Sequence, residues 1–200
     1  MYEKMIAVTN RQLCGKKCVF APGTEWYQAY LEQIDWIASL QPRAMVLREK
    51  DLPCDAYLSL ASEVLSICRA HGTELILHYF TEAAETLNYR KIHLPLEKLR
   101  TMEEIETYDL VGTSVHSVAD ALEAERLGAG YVFAGNIYET DCKKGLPGRG
   151  LCFLKEVCEA CHIPVYAIGG ITPERLPEVR AAGAAGACMM SGFMKMQIEI

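Results

Sequence analysis

The feature that most constrains this chain is a recurrence of eight short apolar segments, most of them followed by a stretch with helical periodicity. The segments are Met5–Thr9, Ala44–Arg48, Glu74–His78, Lys91–Leu94, Leu110–Val115, Tyr131–Gly135, Pro164–Ile168 and Gly186–Met190. They carry Val, Ile, Leu, Met or Tyr without strict alternation. A strand wetted on one face alternates apolar with polar, whereas a strand covered on both faces reads as an apolar run. The pattern therefore predicts a parallel sheet sheathed by helices. Trp26, Tyr30, Ile34 and Ile37 share one helical face in Trp26–Leu40, and Leu60, Val64 and Ile67 share one in Ala56–Ala70. Ser117 to Leu127 opens on a capping residue and stops at Gly128. Thr172-Pro173-Glu174 predicts a sharp helix start, with Thr as cap, Pro in the first turn and Glu against the dipole; Ala182-Gly183 ends that helix.

Eight such units in 200 residues predict a compact (β/α)8 TIM barrel, an α/β fold whose parallel sheet is closed by outer helices. It is expected to occupy residues 1–200 as one domain, with thin third and fourth units and only Phe193–Ile200 for the last helix. A doubly wound open sheet uses the same alternation. Against it, the first segment leads into Cys14-Gly15-Lys16-Lys17 rather than a GxGxxG phosphate loop.

Composition narrows the function classes. The net charge is −6 and no run of Lys and Arg interrupts it, which argues against nucleic acid as a partner. No apolar run approaches the roughly 18 to 20 residues of a membrane span, and no signal peptide is visible, so a cytoplasmic protein without a membrane partner is expected. Nine cysteines, an odd count, then read as free thiols in a reducing compartment. Cys158 and Cys161 have a CxxC spacing with no second pair to complete a metal site and are expected to be half-buried helix thiols. Cys14 and Cys18 are read the same way.

In barrels of this kind the chemistry sits where the strands end at their C-termini. Arg48, Glu49 and Lys50 follow the second segment, and Ser114, His116 and Ser117 close the fifth. After the sixth, Glu139–Gly150 holds three cations (Lys143, Lys144, Arg149) and four glycines or prolines, a candidate anion-binding lid. Ile168-Gly169-Gly170-Ile171-Thr172-Pro173 passes from strand through two glycines to a helix start, and Met190-Ser191-Gly192 does something similar after the eighth segment. Glycines let backbone N–H groups approach an anion, and the loops after strands seven and eight are the usual phosphate site. A structural need for tight turns is the alternative.

With these residues in hand, the chain resembles the thiamine phosphate synthase/TenI superfamily over nearly its full length. The matching pieces are Val8-Thr9-Asn10-Arg11, Leu47-Arg48-Glu49-Lys50, Ser114-Val115-His116-Ser117, Tyr138–Gly145 and Ala167-Ile168-Gly169-Gly170-Ile171. The resemblance implies that a synthase, which joins a pyrimidine diphosphate to a thiazole phosphate with Mg²⁺, carries an Asn-Asp pair after strand three and an Asp after strand four. This chain has His78-Tyr79 at the first place and Lys98, beside Glu97, at the second. From this, and from the local likeness of Glu139–Gly145 followed by Gly148-Arg149-Gly150 to the TenI branch, the chain is expected to be a TenI-type thiazole tautomerase, an isomerase that aromatises a carboxythiazole phosphate by moving a proton, with no metal and no cofactor.

On that resemblance His116 is the expected catalytic group, an imidazole able to act as base and then as acid. Gly170, Met190, Ser191 and Gly192 line the expected phosphate cradle, and Arg48, Lys50, Thr140 and Lys143 hold the substrate's anionic groups. His78 is a second, weaker shuttle candidate; His71, His93 and His162 receive no role. The expected partner is a small phosphorylated heterocycle, with a homo-oligomer left open. The alternatives are a synthase with an unusual metal site and a non-catalytic barrel that binds a phosphorylated ligand.

Overall fold

The computed structural model describes residues 2–14, 19–140 and 145–195. Its strands are β1 Met5–Val8, β2 Ala44–Leu47, β3 Leu75–His78, β4 Lys91–Pro95, β5 Leu110–Val115, β6 Tyr131–Gly135, β7 Val165–Ile168 and β8 Gly186–Met189. They form a closed barrel in sequence order. The helices are α1 Glu25–Ser39, α2 Cys54–His71, α3 Thr81–Thr86, α4 Leu96–Arg100, α5 Val118–Arg126, α6 Gly150–Ala160, α7 Leu176–Ala181 and α8 Ser191–Lys195. The fold is the (β/α)8 barrel expected, with short third and fourth helices. Residue contacts gather into two units, one running from Tyr2 to Tyr89 and resuming at Met190, the other from Arg90 to Met189.

The first unit holds β1 to β3, α1 to α3 and α8. Every residue of its three strands is buried, as continuous apolar runs require. Ile6 pairs with Ala44, and Met45 with Leu75, in parallel register. Thr24 caps α1 by accepting from the Tyr27 N–H. The buried stripe of α1 is Tyr27, Tyr30, Ile34, Ile37 and Ala38; Trp26 is only half-buried, so the stripe begins one residue later than expected. Helix α2 buries Tyr57, Leu60, Ala61, Val64, Leu65 and Cys68, while Ile67 sits at its margin.

The second unit holds β4 to β8 with α4 to α7. Registers run from Ile92 beside Val111, through Thr113 beside Val132 and Phe133 beside Tyr166, to Ala167 beside Ala187. One helix start departs from expectation. Thr172 makes no side-chain capping bond; Pro173–Arg175 form a 3-10 turn and α7 begins only at Leu176. The reason is Pro177. A continuous α-helix from Pro173 needs the residue 177 N–H to bond the residue 173 carbonyl, and proline has no N–H.

Candidate active site

In the first unit the ends of β1 and β2 are joined by a buried ionic cluster. Glu49 is 1% exposed. Its Oε1 accepts from the Thr9 hydroxyl at 2.9 Å, the Arg11 N–H at 2.9 Å and the Tyr30 hydroxyl at 3.0 Å. Its Oε2 accepts from Arg11 Nη1 at 3.0 Å. Arg11 also grips Asp51 through two bonds of 2.7 and 2.8 Å. Burial pushes the Glu49 carboxyl above the usual carboxylate range, opposed by its hydrogen-bond donors. The Arg11 hydrogen bonds hold Asp51 below that range. Thr9 Oγ1 further accepts from the Arg48 N–H at 2.9 Å. Arg48 and Lys50 thus flank a fixed, inward-turned carboxylate, Arg48 half-buried and Lys50 exposed. At the end of β3, the His78 N–H donates to the Tyr57 hydroxyl at 2.8 Å, and Tyr57 in turn donates to the Leu47 carbonyl. Tyr79 and Phe80 follow, Tyr79 with a left-handed φ of 75°.

In the second unit β5 delivers His116 to the start of α5. Ser117 caps that helix by accepting from the Asp120 N–H at 3.0 Å, and the Asp120 carboxylate returns to the His116 N–H at 2.9 Å. His116 Nδ1 lies 2.8 Å from the Gly135 carbonyl oxygen. A carbonyl can only accept, so Nδ1 carries the proton and Nε2 is the basic nitrogen of the neutral ring. The backbone after β6 runs along the turn after β7: the Ile137 and Tyr138 N–H groups donate to the Ile168 and Gly169 carbonyls at 2.9 and 3.0 Å. Gly170 has φ 65°, and a Cβ there would lie 2.5 Å from the Glu139 carbonyl oxygen and 2.7 Å from Tyr138 Cβ. Its own carbonyl accepts from Arg175 Nη1 at 2.6 Å, and the Arg175 guanidinium sits 4.1 Å over the Tyr138 ring. Close packing therefore accounts for glycine at this position without reference to an anion.

Of the other expected site residues, Thr140 is half-buried, and Met190, Ser191 and Gly192 are half-buried at the start of α8. Lys143, like Asp141, Cys142, Lys144 and Cys18, lies outside the described residues. Among the described residues no group of three His, Cys, Asp or Glu side chains is placed to hold a metal. Cys158 and Cys161 are half-buried free thiols at the end of α6, as expected. Two features were missed. Arg11 and Tyr30 were not foreseen as partners of Glu49, because they lie 38 and 19 residues away from it. His93 was given no role, yet it is bonded on both ring nitrogens, to Tyr131 and Ser114.

The chain is similar to several curated proteins named thiamine-phosphate synthase. A thiamine-phosphate synthase from Caldivirga maquilingensis is 32% identical over 76% of this chain and 75% of that one. A putative thiamine-phosphate synthase 2 from Aquifex aeolicus is 29% identical over 96% and 98%. One from a Synechococcus strain is 36% identical over 68% of this chain, but the match spans only 40% of the relative's length. A solved thiamine phosphate pyrophosphorylase from Pyrococcus furiosus superposes with a TM-score of 0.80 at 25% identity, covering 98% of this chain and 90% of that one. These findings overturn the expectation of a thiazole tautomerase and of an isomerase: the relatives carry the synthase name, that of a transferase. The tautomerase expectation rested on three positions, His78, Tyr79 and Lys98, and on a local likeness around 139–145, much of which lies outside the described residues. The thiamine monophosphate synthase model matches residues 7–193, and the chain belongs to that family.

Proposed function

We propose that this protein is a thiamine-phosphate synthase of the cytoplasm, joining a pyrimidine diphosphate to a thiazole phosphate. The observation that carries the reading is the synthase name of relatives that align along nearly the whole chain. In this reading Arg48 and Lys50 neutralise the diphosphate, helped by Thr140 and Lys143. In the second unit Gly170, and in the first Met190, Ser191 and Gly192, offer backbone N–H groups to phosphate. As the carbon–oxygen bond breaks, its electron pair leaves on the diphosphate oxygen and the thiazole nitrogen bonds to the freed carbon; His116, entering as the imidazolium with Nδ1–H on Gly135, gives its Nε2 proton to that oxygen and is left neutral. The Nδ1 bond to Gly135 supports this role by fixing the ring. The seven described cysteines are free thiols, which supports a reducing compartment.

The family resemblance implies Mg²⁺, and among the described residues the groups at the expected places do not fit it. The exit of β3 offers His78, Tyr79 and Phe80, and α4 offers exposed Glu97 beside Lys98. No step here is assigned to a metal. That mismatch favours a second reading, a barrel that binds thiazole phosphate without joining it to the pyrimidine.

The test is to incubate purified protein with both substrates in magnesium buffer and to measure thiazole phosphate binding by calorimetry. Product supports the synthase; binding without product supports the second reading. In the synthase, His116→Ala should lower turnover by about 10² to 10⁴ while binding survives. Near-normal turnover in that variant would remove His116 from the mechanism.

A further inference from the structure

Strand alternation puts Gly112 and Ser114 on one face of the β5 exit, with Val111, Thr113 and Val115 buried on the other. A Cβ on Gly112 would lie 1.9 Å from a ring carbon of Tyr131, its register partner, so glycine here makes room for that ring. The Tyr131 hydroxyl reaches His93 Nδ1 at 3.0 Å. The other ring nitrogen of His93, Nε2, lies 3.0 Å from Ser114 Oγ. His93 is 2% exposed and stacks on Phe133 at 4.3 Å, so its ring cannot turn freely. Ser114 is only half-buried and sits two residues before His116. The result is a hydrogen-bonded file from Tyr131 through His93 to Ser114, ending two residues before His116, the group assigned to proton delivery.

A neutral imidazole donates from one nitrogen and accepts at the other, so the file has two directions. In one, Ser114 donates to His93 and shows the ligand only lone pairs. In the other, Tyr131 donates to Nδ1, Nε2–H donates to Ser114, and the Ser114 O–H is left to point at the ligand. The phenol is much the more acidic hydroxyl and the stronger donor to an imine nitrogen, which favours the second direction. Bonds aligned head to tail also reinforce one another when the file ends on an anion.

We propose that His93 is a positioning residue that, held by Tyr131, turns the Ser114 hydroxyl into a fixed donor toward an anionic oxygen of the ligand. The inference rests on the reading that these strand ends hold a phosphorylated ligand. The probe is inorganic pyrophosphate, titrated calorimetrically into the native protein and into Ser114→Ala, His93→Leu, His93→Gln and the Ser114→Ala/His93→Leu pair. Circular dichroism checks the fold of each. Ser114→Ala should weaken binding about ten- to a hundredfold, the range for a hydrogen bond to a charged group. His93→Leu should weaken it comparably but add almost nothing in the Ser114→Ala background, because it acts only through that hydroxyl. His93→Gln, whose amide N–H can replace Nε2–H, should restore part of the loss and keeps the test valid if the leucine variant unfolds. Nitrogen NMR of the native imidazole should show the proton of His93 on Nε2. Independent, additive losses, or a proton on Nδ1, would overturn the positioning role. Native protein that fails to bind pyrophosphate would overturn the anion-site reading itself and this inference with it.

Discussion

Removing the carboxylate of Glu49 should be among the most destabilising single changes available to the first unit. Four donors converge on it: the Thr9 hydroxyl, the Arg11 N–H, Arg11 Nη1 and the Tyr30 hydroxyl. Glu49→Leu strands them all in a site that is 1% exposed. Breaking a buried ion pair from one side costs about 3 to 5 kcal/mol. Arg11 keeps its two bonds to Asp51, which limits the loss of its charge partner and points to the lower part of that range. Glu49→Gln can keep Oε1 and its three donors, but it sets an amide NH₂ against Arg11 Nη1, so about 1.5 to 3 kcal/mol is expected for one charge-assisted bond. Urea unfolding followed by circular dichroism, at unchanged slope, should therefore rank native above Gln above Leu. For a chain of this length the leucine variant should melt about 6 to 20 °C lower. Adding Arg11→Met to Glu49→Leu should recover part of the loss, because the unpaired charge leaves with it. A leucine variant within about 1 kcal/mol of native, or a glutamine variant worse than leucine, would refute the account of the cluster.

Three further outcomes follow from the same geometry. The Tyr138 phenol is pushed up to about 12 by desolvation and by its 2.6 Å bond to Glu178; its contribution to stability is complete below pH 10, the unfolded value, and is lost as pH rises toward 12. Tyr138→Phe should flatten the alkaline limb of a stability–pH curve, and an unchanged limb would contradict the bond. Gly170→Ala should destabilise by about 2 kcal/mol or more, from its left-handed φ and the Glu139 contact, and an unchanged urea midpoint would show that the turn relaxes freely. Peptide mapping after brief thiol alkylation should find exposed Cys54 and Cys152 modified and buried Cys68 and Cys188 protected until urea is added; early labelling of Cys188 would mean that β8 opens readily.

The fold was legible because both of its signals are local. Apolar runs such as Ala44–Leu47 and capped amphipathic stretches such as Ser117–Arg126 are written in adjacent residues, and the strands fall within about a residue of where periodicity put them. Proline chemistry at Pro177 was just as local, and attention to Thr172 alone concealed it. The site was less legible, because its partners are remote in sequence: nothing near Glu49 announces Tyr30, and nothing near His93 announces Tyr131. A glycine can answer two needs at once. Gly170 reads as a backbone opening toward an anion, and the structure adds a second reason for glycine: the space its missing Cβ would fill is taken by Tyr138 and Glu139. The branch within the family turned on a few side chains whose chemistry, not their spacing, had to be weighed.

The most direct measurement of the central claim is thiamine phosphate itself, quantified chromatographically after the purified protein is given the pyrimidine diphosphate and the thiazole phosphate in magnesium buffer. The account predicts product that accumulates in proportion to protein and falls by about 10² to 10⁴ in rate when His116 becomes alanine. Both substrates remaining unchanged at high protein concentration, with thiazole phosphate nevertheless bound, would contradict it and leave a binding barrel in its place.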